Sequence, residues 1–128
     1  MYFYLKYRYL ICYSLFWVKY KIRTLILDNG TVPFDEWLDC QDVTVQTRIE
    51  ARIERFKDGN FGDYKSVGDG VLEARFFFGS GYRVYFSLED QVLVLIISAG
   101  DKSSQIKDIE KAKLYLKKYL EDKNANKN

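Results

Sequence analysis

Between residues 71 and 99 the chain runs through three stretches rich in β-branched and aromatic side chains, Val71–Phe78, Tyr82–Leu88 and Gln91–Ala99. Only Gly79-Ser80-Gly81 and Glu89-Asp90 part them. Connections that short leave no room for a crossover helix, so successive stretches must pair antiparallel. A meander of three adjacent strands is the firmest constraint on the fold. The remaining residues must supply helices to cover it.

They contain the patterns for doing so. Tyr20 to Leu27 reads as a further strand, stopped by the turn signal Asp28-Asn29-Gly30. Thr31 is placed to cap a short helix with Pro33 in its first turn and Phe34, Trp37 and Leu38 facing inward. A longer helix follows Asp42 and reaches about Lys57, with Val45, Ile49, Ile53 and Phe56 on one face. Arg48, Arg52 and Arg55 flank that face, interleaved with Glu50 and Glu54, and read as a solvated stripe with local ion pairs, a contact for a partner or RNA being the second reading. Tyr64–Val67 forms a short strand before the turn Gly68-Asp69-Gly70. A last helix runs from about Ser103 to Glu121, capped by Asp101, Ser103 or Ser104, with Ile106, Ile109, Ala112, Leu116 and Leu120 on its apolar face. The expected class is α+β, a small antiparallel sheet flanked by N-terminal helices and a C-terminal helix. One domain spans residues 19–121, and 122–128 reads as a polar, frayed tail.

Register decides which residues meet. If the three-residue loop pairs Phe78 with Tyr82, Arg75 stands opposite Tyr85. If the two-residue loop pairs Leu88 with Gln91, Arg83 lies beside Ile96 and Tyr85 beside Val94. Side chains alternate between faces. One face then collects Leu72, Ala74, Phe76, Phe78, Val84, Phe86, Leu88, Leu93, Leu95 and Ile97, a surface for helices to cover. The other collects Glu73, Arg75, Phe77, Arg83, Tyr85, Val94, Ile96 and Ser98. Lys102, beyond the last strand, and Lys65, before the first hairpin, add cations. That face reads as a phosphate-binding surface with rings to stack bases. The plainer alternative is a Glu73–Arg75 pair with Arg83 satisfied by its neighbours.

Composition narrows the chemistry. The 128 residues include no His, so no imidazole serves as base, ligand or pH switch. Two cysteines, Cys12 and Cys40, cannot build a four-ligand zinc site and read as reduced thiols of a cytoplasmic protein. With 20 basic against 18 acidic residues, the net charge of +2 argues against a broadly basic nucleic-acid binder. The excess sits in the leader, since residues 1–20 hold Lys6, Arg8 and Lys19 and no acid. The uncharged run Tyr9–Val18 is too short to span a bilayer, and Lys19-Tyr20-Lys21 after it offers no cleavage site of a signal peptide. Residues 1–18 are therefore an aromatic N-terminal extension. They read as an extra strand, a membrane-surface tether, or sequence upstream of the true start.

Several blocks taken together carry a resemblance. These are Ala51-Arg-Ile-Glu-Arg, Gly59-Asn-Phe-Gly-Asp63, Lys65-Ser-Val-Gly68, Gly70-Val-Leu-Glu-Ala-Arg75, Gly79-Ser-Gly-Tyr-Arg-Val-Tyr-Phe86, Ala99-Gly-Asp-Lys-Ser-Ser-Gln105 and Asp108-Ile-Glu-Lys-Ala112. In order and spacing they resemble the phage-derived addiction-module killer proteins, the HigB-like branch of the RelE/ParE toxin superfamily. The likeness covers roughly Lys19 to Leu120 and leaves Met1 to Val18 unmatched. It implies a type II toxin neutralised by a cognate antitoxin, commonly a helix-turn-helix protein, with the ribosome and mRNA as its other partners and no stable membrane association. It further implies an mRNA interferase that inhibits translation without metal or other cofactor. The RNA's own 2′-hydroxyl attacks the adjacent phosphate, leaving a 2′,3′-cyclic phosphate and a free 5′-hydroxyl.

Carried over residue by residue, the resemblance assigns Arg75 and Arg83 to the scissile phosphate and its transition-state charge. It assigns Lys102 to the leaving 5′-oxygen and Lys65 to deprotonation of the 2′-hydroxyl. Tyr85, and after it Tyr82, match base-stacking positions, although Tyr82 points to the core face. Phe77 replaces a polar or imidazole side chain of many relatives and joins the stacking set, leaving acid–base work to Lys, Tyr, Glu73 or Asp101. Two other readings stay open: a ParE-like gyrase inhibitor without nuclease activity, and a decayed, inactive toxin.

Overall fold

The computed structural model describes residues 19–126. The interpretations of residues 1–18, Cys12 included, lie outside the described residues. The elements are β1 (Lys21–Thr24), α1 (Pro33–Asp39), α2 (Val43–Phe56), β2 (Tyr64–Gly68), β3 (Val71–Arg75), β4 (Arg83–Glu89), β5 (Leu93–Gly100), a 3-10 turn (Lys102–Ser104) and α3 (Gln105–Ala125). The fold is α+β. Its five strands lie in the order β1-β5-β4-β3-β2, antiparallel except that β1 runs parallel to β5.

Helices cover both faces. On one side α1 and α2 bury Phe34, Leu38, Val45, Ile49 and Phe56 against Ala74, Phe76, Val84, Phe86, Val94, Ile96 and Ala99. On the other, Ala112 and Leu116 of α3 pack on Leu25, Val71, Tyr85, Leu95 and Ile97. Pro33 opens α1, where its missing N–H costs nothing. The N-cap is Val32, with no side-chain hydrogen bond, so Thr31 does not cap it. Thr31 is held instead through its backbone, its N–H donating to Asn29 Oδ1 and its carbonyl accepting from Leu27. Asp42 does cap α2, its carboxylate accepting from the Val45 N–H at 3.0 Å.

The hairpins depart from the expected register. Arg75 pairs with Arg83 and Glu73 with Tyr85. The β3–β4 loop is thus longer than Gly79-Ser80-Gly81, closed by a Phe76 N–H to Tyr82 carbonyl bond of 2.9 Å. A slip of two residues preserves which side chains share a face. The β4–β5 pairing differs by an odd number, with Glu89 opposite Leu93 and Leu88 opposite Val94. Val94 and Ile96 therefore join the α1–α2 face, while Leu95 and Ile97 turn to α3. A bulge follows, so that Tyr85 faces Ser98 after Phe86 faces Ile96. Leu88 is exposed.

Helix α3 also corrects its expected face. Ile106 and Leu120 are exposed, and the buried side runs through Ile109, Ala112, Tyr115, Leu116 and Tyr119. Asp101 caps the 3-10 turn, accepting from the Ser103 N–H at 2.9 Å. The helix continues to Ala125 rather than fraying at Asp122, because Lys123 Nζ reaches the buried Glu89 at 2.6 Å. Gly100 is required by close approach. A Cβ there would run into the Asp108 carboxylate.

Candidate active site

The observed register sets two arginines, Arg75 and Arg83, directly opposite one another at the end of the β3–β4 pair. Like charges in that position repel. Each is offset by its own carboxylate. Asp63 grips Arg75 through two bonds, Nε to Oδ2 at 3.1 Å and Nη2 to Oδ1 at 3.2 Å. Glu73 Oε2 lies 3.6 Å from Arg83 Nε, an ion pair rather than a hydrogen bond. A Glu73–Arg75 pair, the plainer expectation, does not form.

The two carboxylates sit in different surroundings. Glu73 is fully buried, and its Oε2 accepts from Tyr85 Oη at 3.1 Å and Gln105 Nε2 at 2.9 Å. Its Oε1 and Arg83 Nε have no hydrogen-bond partner among the described residues. Arg83 Nη1 donates to the Gly81 carbonyl at 3.1 Å. Burial, with the charge and hydrogen bond of Glu73 adding to it, pushes the Tyr85 phenol well above its ordinary pKa. Asp63 and Arg75 instead leave over a third of each side chain open to solvent.

Asp63 is held in place by Arg52. One Arg52 amino group, Nη2, donates to the Phe61 and Asp63 carbonyls at 2.9 and 2.7 Å, and Nη1 donates to the Arg75 carbonyl. The guanidinium lies 4.4 Å over the Phe76 ring. Burial draws its pKa below the usual guanidinium value, against the opposing pull of Asp63. Arg52 is thus a tie between α2, the loop before β2 and the end of β3. The solvated-stripe reading does not hold for it.

Arg75, Arg83 and Lys102 line one cleft of about 520 Å³, with Phe77 and the Gly79-Ser80-Gly81 loop completing its wall. Lys102 reaches it because the 3-10 turn docks on the hairpin loop, the Lys102 N–H donating to the Ser80 carbonyl at 3.4 Å. No carboxylate pairs with the Lys102 ammonium among the described residues. Phe77 is 81 % exposed, its ring 5.8 Å from the Arg75 guanidinium.

The other sequence-predicted residues lie elsewhere. Tyr85 has no exposed surface and cannot stack a base. Tyr82 packs into the α1–α2 cluster, its ring 5.8 Å from Trp37 and 5.3 Å from Phe78. Gly79, at φ +58°, makes room for it, since a Cβ there would stand 2.8 Å from the Tyr82 ring. Lys65 is exposed on edge strand β2, opposite Glu73, and is not among the residues lining the cleft. A groove of about 1030 Å³ between β1 and α3 is larger, but holds none of these residues.

The sequence reading missed Asp63 and Arg52 as parts of the site. Asp63 stood in a turn, and it is the β2–β3 pairing, with Tyr64 opposite Ala74 and the Arg75 N–H donating to the Asp63 carbonyl, that sets Arg75 beside it.

No family model matches the chain. An uncharacterized protein of Haemophilus influenzae is 49% identical to it over 85 residues, which cover 66% of this chain and 86% of that protein. The chain belongs to that protein's family. The relative's description carries no function, so the chemistry of the cleft has to be argued from its residues. Three cations from two strands and the turn after β5 converge there, with an aromatic ring at the rim. Such a set suits an anion of phosphate size with a planar group beside it.

Proposed function

We propose that the chain is the toxin of a type II toxin–antitoxin module, a HigB-like member of the RelE/ParE superfamily that cleaves mRNA on the ribosome. The convergence of Arg75, Arg83 and Lys102 on one cleft carries this reading. The reaction needs the 2′-oxygen in line with the P–O5′ bond and charge offset on the pentacoordinate phosphorus. The O2′–P bond forms, the P–O5′ bond breaks, the 2′-hydroxyl gives its proton to solvent water and the 5′-oxygen gains one from the Lys102 ammonium. Arg75 and Arg83 hold the phosphate oxygens, and the Lys102 ammonium donates to the departing 5′-oxygen. Phe77, in place of the buried Tyr85, supplies the stacking surface. Lys65 has no position in the cleft, so the reading rests on orientation and charge rather than on a lysine base.

The test is induction of the wild-type chain in cells, with primer extension on total mRNA. Translation arrest with cuts inside codons is expected. Arg83→Ala and Lys102→Ala should each slow cutting by about 10²-fold, the usual cost of losing one transition-state donor. Arrested cells with uncut mRNA would overturn the nuclease reading.

One observation favours the gyrase-directed alternative, namely that both arginines already hold carboxylate partners. A DNA-damage response with intact mRNA on induction would support it.

A further inference from the structure

The cleft cations are not equally available. A phosphate is gripped bidentately by one edge of a guanidinium. On Arg75 the edge formed by Nε and Nη2 is taken by Asp63, at 3.1 and 3.2 Å. On Arg83, Nε faces the buried Glu73 and Nη1 is bonded to Gly81. Glu73 cannot leave, because it is fully buried and bonded to Tyr85 and Gln105. Asp63 is different: its side chain is 38% exposed, and the salt bridges and hydrogen bonds found for its carboxylate involve Arg75 alone. Its backbone carbonyl, bonded to Arg52 and to the Arg75 N–H, fixes the loop whatever the side chain does.

We propose that Asp63 is a displaceable counter-ion that competes with the RNA phosphate for Arg75 and sets the affinity of the cleft. The inference rests on the phosphate-binding reading of that cleft. An incoming phosphate that takes the Nε–Nη2 edge of Arg75, beside Lys102, must exchange the Asp63 carboxylate for two of its own oxygens. The exchange trades one bidentate ion pair for another, so net binding energy from Arg75 is small for an RNA free in solution. Substrate presented at high effective concentration in a fixed pose makes the trade readily. A nearly neutral protein carrying this counter-ion is thereby kept from binding RNA indiscriminately.

The experiment measures fluorescence anisotropy of the full chain with a short labelled oligonucleotide whose riboses are all 2′-O-methylated, so that it cannot be cut. Asp63→Asn should bind it about tenfold more tightly than the wild type, the effect of removing one charge in contact with the binding group. Asp63→Ser should do the same, and adding Arg75→Ala should abolish the gain. A purely structural role for Asp63 cannot produce tighter binding, and melting curves of both variants verify folding. If the wild type binds, Lys102→Ala weakens it, and neither Asp63 variant binds more tightly, the counter-ion inference fails while the cleft reading stands. If wild type and Asp63 variants all fail to bind, or Lys102→Ala and Arg83→Ala bind like wild type, the cleft reading fails and takes the inference with it.

Discussion

At the residue scale the most consequential side chain is one the sequence made attractive for the wrong reason. Tyr85 sits mid-strand on the face expected to hold Arg75 and Arg83 and invites a base-stacking role, yet it is fully buried and donates its hydroxyl to Glu73. Its raised pKa fixes a pH dependence of stability. The folded state holds the phenolic proton more tightly than the unfolded chain, where Tyr loses it near pH ~10. The stabilisation is therefore complete below about pH 10 and is lost as pH rises toward the folded-state value, at about 1.4 kcal/mol per pH unit. Comparing urea midpoints of wild type and Tyr85→Phe isolates the effect from other titrating groups. The wild type should be the more stable near neutral pH, and its advantage should shrink once pH passes about 10. An advantage that stays constant into the alkaline range would contradict the assignment.

At the scale of elements, the strands were legible and their pairing was only partly so. The three strands of the meander and the three helices of the described residues follow from turn residues and helical spacing in the sequence. Register did not. Strand β5 reads Leu-Val-Leu-Ile-Ile-Ser-Ala-Gly and is buried along its whole length, so no polar alternation marks which residues face which layer. Its turn places Asp90 and Gln91 at φ +51° and +64°, a conformation that Asn-Gly would have announced and these residues do not. Arg75 and Arg83 stayed on one face only because their register error was even, and the site survived for that reason. The end of α3 was misread on similar grounds, since a polar segment gives no sign of the buried carboxylate it covers. Glu89 is 8% exposed, and its Oε1 is held by Lys123. Lys123→Ala should lower the thermal midpoint by leaving that carboxylate unpaired, and adding Glu89→Gln should restore part of the loss. If the double variant melts below the single one, the pair does not anchor the last turns of the helix.

For the molecule as a whole, burial sets the question that charge had seemed to answer. A near-neutral chain suggested a cation-rich open sheet face as the means of binding, but α3 covers that face and leaves only its end accessible, where Arg75, Arg83 and Lys102 meet. Both clusters depend on the same sheet, one packed by α1 and α2 and the other by α3. Neither layer can be stripped away without exposing the strands between them, so the unit should unfold in a single transition. The residues named in both clusters run from Tyr20 to Tyr119. A chain starting with an added Met before Lys19 should therefore keep the far-UV circular dichroism expected for the described elements. It should melt cooperatively and return a urea m-value within about 15% of the full-length protein. The comparison is informative because m follows the surface exposed on unfolding. A markedly lower m-value or a broad melt in the shortened chain would mean that residues 1–18 complete the core, and the domain boundary at Lys19 would have to move.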